Sequence, residues 1–231
     1  MLVGAHVGDM ELTCGGLVAS EALRGNRSVI VAMTAGEKGN PPGMPVQAYR
    51  EQKVREAAAF AGAFGGTSVV LDSEDGMLEE DDRSLWPLVD LIRIHRPDAI
   101  VTHWKNSVHK DHRATSRIVE HARYYAGNAG FERHYSAHAC PDLFYAENLE
   151  DLDGFSPFLY VDITAGYEDW IRELKKIEFV TKSTDHRYLD YYEALATIRG
   201  CDSGYHKAEA FMVRDVRHMR LEDSIFSYDV R

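Results

Sequence analysis

The sequence predicts an α/β fold: a Rossmann-like, doubly wound and mostly parallel sheet with helices on both faces, in a single domain over residues 1–231. Short β-branched runs alternate with longer stretches of helical composition along the whole chain. The runs are almost entirely apolar, which is typical of strands buried on both faces of a parallel sheet. Gly25, Gly65 and Pro97 stand where the intervening helices are expected to end.

Seven short runs are predicted as strands. The first, around Val3, is clipped, because only five residues precede His6 and buried strands usually have about 5–6 residues. A natural start upstream of Met1 is therefore left open. The other six are SVIVAMT at 28–34, SVVL at 68–71, AIVT at 99–102, LFYA at 143–146, FLYVDI at 158–163 and AFMV at 210–213.

Six stretches between these runs are predicted as helices from their composition or their 3.6-residue spacing: 12–24, 45–64, 84–95, 112–126, 167–181 and 188–199. The segment 36–45, GEKGNPPGMP, is predicted to be a loop because of its Gly and Pro content. It follows the second strand, which is where doubly wound folds place ligand-binding loops.

Composition narrows the class of protein. The chain has 26 Lys and Arg against 37 Asp and Glu, a formal net charge of −11, and this excess repels phosphate backbones. No apolar run approaches the roughly 18–20 residues of a membrane helix, and no secretory signal is visible. Three widely spaced cysteines are typical of reduced thiols. We expect a cytoplasmic enzyme with no nucleic-acid or membrane partner.

Several common catalytic motifs do not occur in the sequence. It has no Gly-x-Gly-x-x-Gly, no Gly-x-x-x-x-Gly-Lys, no Gly-x-Ser-x-Gly and no His-Glu-x-x-His. Nucleotide binding, serine hydrolysis and the common metalloprotease designs therefore lose most of their support.

Two clusters of chemistry-bearing residues remain. His6 and Asp9 follow the first strand, and the segment His109-Lys110-Asp111-His112 follows the strand at 99–102. Imidazole and carboxylate are good zinc ligands, and a doubly wound sheet brings such strand ends together at one crevice. The alternative is structural: Asp9 and Asp111 cap helices, and the histidines are exposed loop residues. Because both clusters stand at strand exits, a metal site is the favoured interpretation.

With these residues in view, the chain resembles the LmbE/PIG-L superfamily of zinc-dependent N-deacetylases, which act on N-acetylglucosaminyl compounds. That family carries Ala-His-Pro-Asp-Asp-x-Glu after its first strand and His-Pro-Asp-His in a later loop. The matching features occur in the family's order and are His6/Asp9/Glu11, Gly36-Glu37, Asp75-Gly76, His109/Asp111/His112 and Ala-Glu-Ala-Phe at 208–211.

The resemblance implies a role for each matched residue. Zinc would be held by His6, Asp9 and His112, and would activate a water molecule and polarise an amide oxygen. His109 would steady or protonate the tetrahedral intermediate. Asp111 would orient a histidine and raise its basicity. Relatives are often trimers or hexamers, so a homo-oligomer is expected.

One departure from the family pattern concerns the general base. The first Asp of the family's Asp-Asp pair is Gly8 here, and glycine cannot accept a proton. The base must then be Glu37, Glu11, Asp111 or the zinc-bound hydroxide unaided. Glu37 is favoured because it follows the second strand, which should neighbour the first, and because flanking glycines allow a close backbone approach.

Arg50, Lys53 and Asp75 are predicted to bind substrate, the two cations by contacting an acid or sugar hydroxyls. The leading hypothesis for function is a zinc-dependent hydrolase that deacetylates an N-acetylated amino sugar or a related small amide. Gly8 favours an alternative, since some superfamily members resemble hydratases that add water to an unsaturated acid and lack the same aspartate. A third hypothesis is a non-catalytic metal- or sugar-binding relative.

Overall fold

A computed structural model describes residues 1–151 and 153–213 of the chain. Over these residues it contains seven strands and eight α-helices. The strands are β1 (Leu2–Gly4), β2 (Val29–Ala32), β3 (Thr67–Val70), β4 (Ala99–His103), β5 (Asp142–Ala146), β6 (Leu159–Asp162) and β7 (Ala208–Val213). The helices are α1 (Asp9–Thr13), α2 (Gly15–Leu23), α3 (Val46–Ala63), α4 (Asp82–His95), α5 (Lys110–Gly127), α6 (Tyr167–Leu174), α7 (Glu178–Lys182) and α8 (Tyr188–Ser203).

The seven strands form one sheet in the order β3-β2-β1-β4-β5-β7-β6. The first five are parallel, and β7 runs antiparallel to both β5 and β6. At the centre, Leu2 of β1 lies opposite Ile30 of β2 on one side and Val101 of β4 on the other. The chain therefore reverses its winding direction between β1 and β4, and such a switch point opens a crevice at the carboxyl ends of the strands.

Both faces of the sheet are buried. Val3, Val31 and Ile100 point to one face, where α4 and α5 cover them. Leu2 and Ile30 point to the other face, which α2, α3, α6 and α8 cover. The predicted doubly wound, mostly parallel α/β fold is confirmed. Burial on both faces explains why β1 and β2, in the middle of the parallel part, carry no polar side chains.

Two of the predicted helices are each divided in the structure. The helix predicted at 12–24 is α1 followed by α2, with Cys14 between them. A Cβ at Gly15 would lie 2.1 Å from Trp170 Nε1, and this nitrogen donates a hydrogen bond to Glu11 O at 2.8 Å. The close approach of the indole thus requires the glycine at this break. The helix predicted at 167–181 is likewise α6 and α7.

The predicted extent of the domain and the predicted lack of a membrane helix concern the chain as a whole. Residues 214–231 of the predicted domain lie outside the described residues. Within the described part of the chain, no helix combines the length and apolar character needed to cross a membrane.

Candidate metal centre and cleft

The loops that follow β1, β2, β3 and β4 meet around a cavity of about 720 Å³. Six of the predicted site residues line it: His6, Asp9, Lys53, Asp75, His109 and His112. The two sequence clusters, from opposite sides of the β1–β4 switch point, are thereby brought together.

A tight turn after β1 positions His6 and Asp9. Gly8 is the N-terminal cap of α1 and has φ +109°, a left-handed conformation that favours glycine. Its N–H donates to Glu11 Oε2 at 2.9 Å, and the N–H of His6 donates to Asp9 Oδ2 at 2.8 Å. The Asp9 carboxylate is therefore folded back towards the His6 ring.

The carboxylate of Asp9 lies between the rings of His6 and His112. Asp9 Oδ2 lies 3.4 Å from His6 Nδ1 and 3.5 Å from His112 Nε2. Ligands about 2.1 Å from a tetrahedral zinc ion lie about 3.4 Å from one another, so Asp9 Oδ2 stands at a suitable separation from each of the two imidazoles. Ring nitrogens of His6, His109 and His112 also lie within 4.8 Å of one another.

The outer nitrogen of each of the two histidines faces a carboxylate. His6 Nε2 lies 3.2 Å from Asp75 Oδ1 and 3.4 Å from Asp111 Oδ2. His112 Nδ1 lies 3.3 Å from Asp151 Oδ1. A carboxylate behind a metal-binding imidazole fixes its tautomer and ring orientation. The residues present therefore suit a divalent metal with nitrogen and oxygen ligands, and Asp111 lies beside a histidine as the sequence predicts.

His103 and Asp151 were not assigned to this cluster from the sequence. Both are completely buried. His103 Nε2 lies 3.0 Å from Asp9 Oδ2, and its Nδ1 lies 3.2 Å from Asp151 Oδ2. The signal for His103 was its place directly after the predicted strand 99–102, whereas Asp151 stands in a loop with no motif around it.

The charges in the cluster stabilise an ionised aspartate and a neutral ligand histidine. Burial opposes ionisation of Asp9, but His112, His6 and His103 outweigh it and hold the pKa of Asp9 well below its usual value. Burial and the neighbouring His103 lower the pKa of His112. Burial also opposes protonation of His103, but Asp9 and Asp151 outweigh it and raise the pKa of His103 to about 9.

His109 is the N-terminal cap of α5, and its Nδ1 accepts a hydrogen bond from Asp111 N at 3.1 Å. When Nδ1 accepts, a neutral imidazole carries its proton on Nε2. The ring lines the cleft and packs edge-on against His6, with centroids 4.7 Å apart. This arrangement suits a proton donor to a bound molecule.

Glu37 and Arg50 lie outside the lining of the cleft. Glu37 is 7% exposed, and its Oε2 lies 3.4 Å from Arg50 Nη1. Arg50 also donates to Leu71 O at 3.2 Å and to Asp72 Oδ1 at 2.9 Å. Its guanidinium is thus engaged in holding loops together, not presented to the cavity. The residues of that loop that line the cleft are Gly36, Gly39, Asn40, Pro41 and Pro42.

The ring of Phe179 lies where a side chain at position 8 would project, and position 8 is where the family pattern has an aspartate. A Cβ at Gly8 would lie 2.3 Å from Phe179 Cζ and 2.5 Å from Phe179 Cε1. Real Cβ atoms do not approach that closely, so Phe179 occupies the space that a side chain at position 8 would need. An aspartate at position 8 would therefore require the Phe179 ring to move.

A parallel sheet with histidine and aspartate donors at its switch point is the architecture of a metal-dependent α/β enzyme. The chain belongs to the PIG-L family, described as GlcNAc-PI de-N-acetylase, which matches residues 1–123. The resemblance inferred from the motifs is confirmed.

The relatives include enzymes of two kinds. The chain is 24% identical over 208 residues to a 4-oxalmesaconate hydratase of Pseudomonas putida, with 87% of this chain and 79% of the relative covered. Its fold matches GalB, the 4-carboxy-2-hydroxymuconate hydratase of Pseudomonas putida KT2440, at 20% identity and a TM-score of 0.85, covering 96% of this chain and 98% of that one. It also matches the N,N'-diacetylchitobiose deacetylase of Pyrococcus horikoshii at 17% identity and a TM-score of 0.79, covering 92% and 82%.

Proposed function

We propose that the protein is a metal-dependent hydratase that adds water to the carbon–carbon double bond of a small unsaturated acid. The observation that carries this proposal is the closure of position 8 by Phe179. A deacetylase of this family uses an aspartate at that position as its base. This chain lacks the carboxylate, and the Phe179 ring lies in the space that its side chain would need. The relatedness to a hydratase over most of the chain supports the same assignment.

The proposed ligands of the metal are His6, Asp9 and His112, and the proposed metal is zinc. The distances from Asp9 Oδ2 to the ring nitrogens of His6 and His112 suit zinc, as do the carboxylates behind both imidazoles. When bound, zinc supplies a water of lowered pKa and polarises a substrate oxygen. Asp75 and Asp111 hold the His6 ring from its outer nitrogen.

Hydration needs one group that removes a proton from water and one that delivers a proton to carbon. The water oxygen bonds to one alkene carbon, and a proton is added to the other. We assign delivery of the proton to His109, whose Nε2 carries hydrogen when Nδ1 accepts from Asp111 N. The proposed base that removes a proton from water is Glu37: its neighbour Gly36 lines the cleft, whereas its own carboxylate lies against Arg50 and must turn to reach the cavity.

The assignment of the base has a specific competitor in Asp75, which lines the cleft directly. Glu37→Gln should lower turnover by roughly 10²-fold or more with metal content unchanged, because a positioned base contributes about 10²–10⁴-fold. Asp75→Asn should lower metal affinity as well as turnover, because it contacts His6. If Glu37→Gln keeps full turnover, Glu37 is not the base.

The reaction itself is tested by comparing two substrate classes on the zinc-loaded protein. 4-Oxalmesaconate and 4-carboxy-2-hydroxymuconate should lose their conjugated ultraviolet absorbance as water adds. N-Acetylglucosamine derivatives should release no acetate. Release of acetate without hydration would overturn the hydratase proposal.

N-Deacetylation of an amino sugar or a related small amide is the second candidate function. The family's description and the retained His109–Asp111 contact favour it. A non-catalytic binding role is less well supported, since a binding site alone has no need for a proton donor beside the metal.

We propose further that the protein is a cytoplasmic homo-oligomer, a trimer or hexamer. The chain has a mass of 26.1 kDa. Light scattering should give a multiple of this mass, and a value equal to it would reject the oligomer.

A further inference from the structure

Lys53 is a buried cation in the wall of the cleft. It lies on α3, is 6% exposed and lines the cavity. Within the described part of the chain, its ammonium group makes no hydrogen bond and no ion pair. Buried lysines are rare unless they are paired, so the ammonium is suited to a partner that the protein itself does not provide.

The surroundings of the Lys53 ammonium are aromatic and close-packed. Nζ lies 4.4 Å from the centroid of the Phe179 ring and 5.7 Å from that of Tyr49. A Cβ at Gly36 would lie 3.2 Å from Nζ and 3.0 Å from His6 Cβ. Ring faces attract a cation, but they do not replace the strong acceptors that an ammonium has in water.

The carboxylates around Lys53 are engaged elsewhere. Asp9 faces the histidines of the metal cluster, and Glu11 accepts from Gly8 N. Asp75 faces His6 and accepts from Lys38 N at 2.8 Å. Their charges favour protonation of Lys53 from a distance, although burial dominates and lowers the pKa of its ammonium.

We propose that Lys53 is the receptor for a carboxylate of the substrate and makes the cleft selective for small acids that carry a carboxylate away from the metal donors. The proposal rests on the proposed function, which it deepens by assigning the group that recognises the acid. Phe179 links the proposed function to the proposed receptor. One side of its ring lies where a side chain at position 8 would project, and its face lies against the Lys53 ammonium.

Lys182 provides a matched control. It also lines the cleft, but its side chain is 71% exposed and its Nζ forms an ion pair with Glu178 Oε1 at 3.3 Å. Exposed pairs of this kind contribute little, and the charge is already compensated. Lys182 should therefore not act as a carboxylate receptor.

The test is calorimetric binding of inert acids to the zinc-loaded protein. The probes are the dicarboxylates from malonate to adipate, with propionate as a monocarboxylate that contacts the metal alone. Lys53→Met, which keeps side-chain bulk and removes charge, should weaken the best dicarboxylate by about tenfold to a hundredfold. The same substitution should change the affinity for propionate by less than about twofold. Lys182→Met should leave the affinities for the dicarboxylate and for propionate unchanged.

Three results would overturn the proposal: equal dicarboxylate affinity in Lys53→Met and wild type, equal losses in Lys182→Met, or no dicarboxylate binding to the wild type. Metal content and melting temperature of each variant are measured alongside. Should Lys53→Met not fold, replacing the best dicarboxylate with its monoamide on the wild-type protein must still lower affinity by about tenfold.

This binding test separates the two proposals because it needs no turnover. If hydration is observed and Lys53→Met binds dicarboxylates normally, the receptor assignment fails alone. If dicarboxylate binding depends on Lys53 but no water is added to any unsaturated acid, the proposed reaction fails and the receptor remains.

Discussion

The imidazole rings of His103 and His112 lie face to face, with centroids 3.8 Å apart and planes inclined by 11°. Asp151 spans their Nδ1 atoms, and Asp9 Oδ2 approaches both Nε2 atoms. Four side chains thus form a closed ring of two imidazoles and two carboxylates. The orientation of His112 is consequently set in part by His103 and Asp151, which are buried and do not line the cleft.

Asp151→Asn should weaken metal binding by about 10–100-fold, because carboxylates behind a ligand histidine typically contribute this much. The measurement is zinc affinity by competition with a chromophoric chelator. Asp153→Asn, at an exposed position two residues away, is the control and should bind zinc like the wild type. Unchanged affinity in Asp151→Asn would show that His112 is oriented without it.

Asp9→Ala and His112→Ala should each lose most of the bound metal, because each removes one of the three proposed donors. Elemental analysis of the purified variants measures this directly. Asp185→Ala is the control, since Asp185 lines the same cleft without facing a histidine of the cluster. Full metal content in both ligand variants would mean that the ion is held elsewhere.

Gly8→Asp should destabilise the protein and yield no deacetylase. Its left-handed backbone costs a non-glycine residue about 1–3 kcal/mol, and the new Cβ collides with Phe179. Urea denaturation measures the loss. Gly39→Asp should be tolerated, because a Cβ there meets nothing within 4 Å. Adding Phe179→Ala to Gly8→Asp should recover part of the stability, and failure to do so would remove the steric explanation.

Glu209 on β7 gives a stability that depends on pH. Its carboxylate accepts from Gly16 N at 2.8 Å and Leu17 N at 2.9 Å, yet burial raises its pKa from 4.5 to about 8. Since the unfolded chain loses this proton first, the stabilising contribution of the neutral group is complete below about pH 4.5 and is lost as pH rises towards about 8.

Glu209→Gln should therefore be relatively more stable at pH 8 than at pH 5, when each is compared with wild type. The difference in free energy of unfolding between Glu209→Gln and wild type should change by at least about 1 kcal/mol between the two pH values, because one unit of pKa shift corresponds to about 1.4 kcal/mol. Urea midpoints at the two pH values provide the measurement. A difference that is constant with pH would show that Glu209 is ionised throughout in the folded protein.

The fold was predictable where local pattern determines structure. The apolar run at 99–102 predicts β4, which the structure extends by His103 alone. The break at Cys14 was not predictable, because it depends on Trp170 approaching from a distant part of the chain. The place of β7 between β5 and β6 also depends on long-range packing, which no local pattern records.

The site was predictable where residues form motifs. His6, Asp9, His109 and His112 were found because each stands in a short cluster at a strand exit. Asp151 has no such context, and its role depends on a loop that folds back beneath His112. The contact of Arg50 with Glu37 also joins residues whose relation is visible only in three dimensions.

The pairing of β1 with β4 also governs when this centre can exist. Asp9 and His103 are separated by 94 positions along the chain, and closing such a loop has an entropic cost that a metal ion cannot offset until the strands have joined. An unfolded chain therefore presents scattered ligands and no centre. An ion bound here would connect residues that follow β1 and β4, which come together only in the folded chain. Its binding free energy would therefore add to the free energy of unfolding. On the proposed function, metal binding stabilises the folded protein as well as serving its reaction.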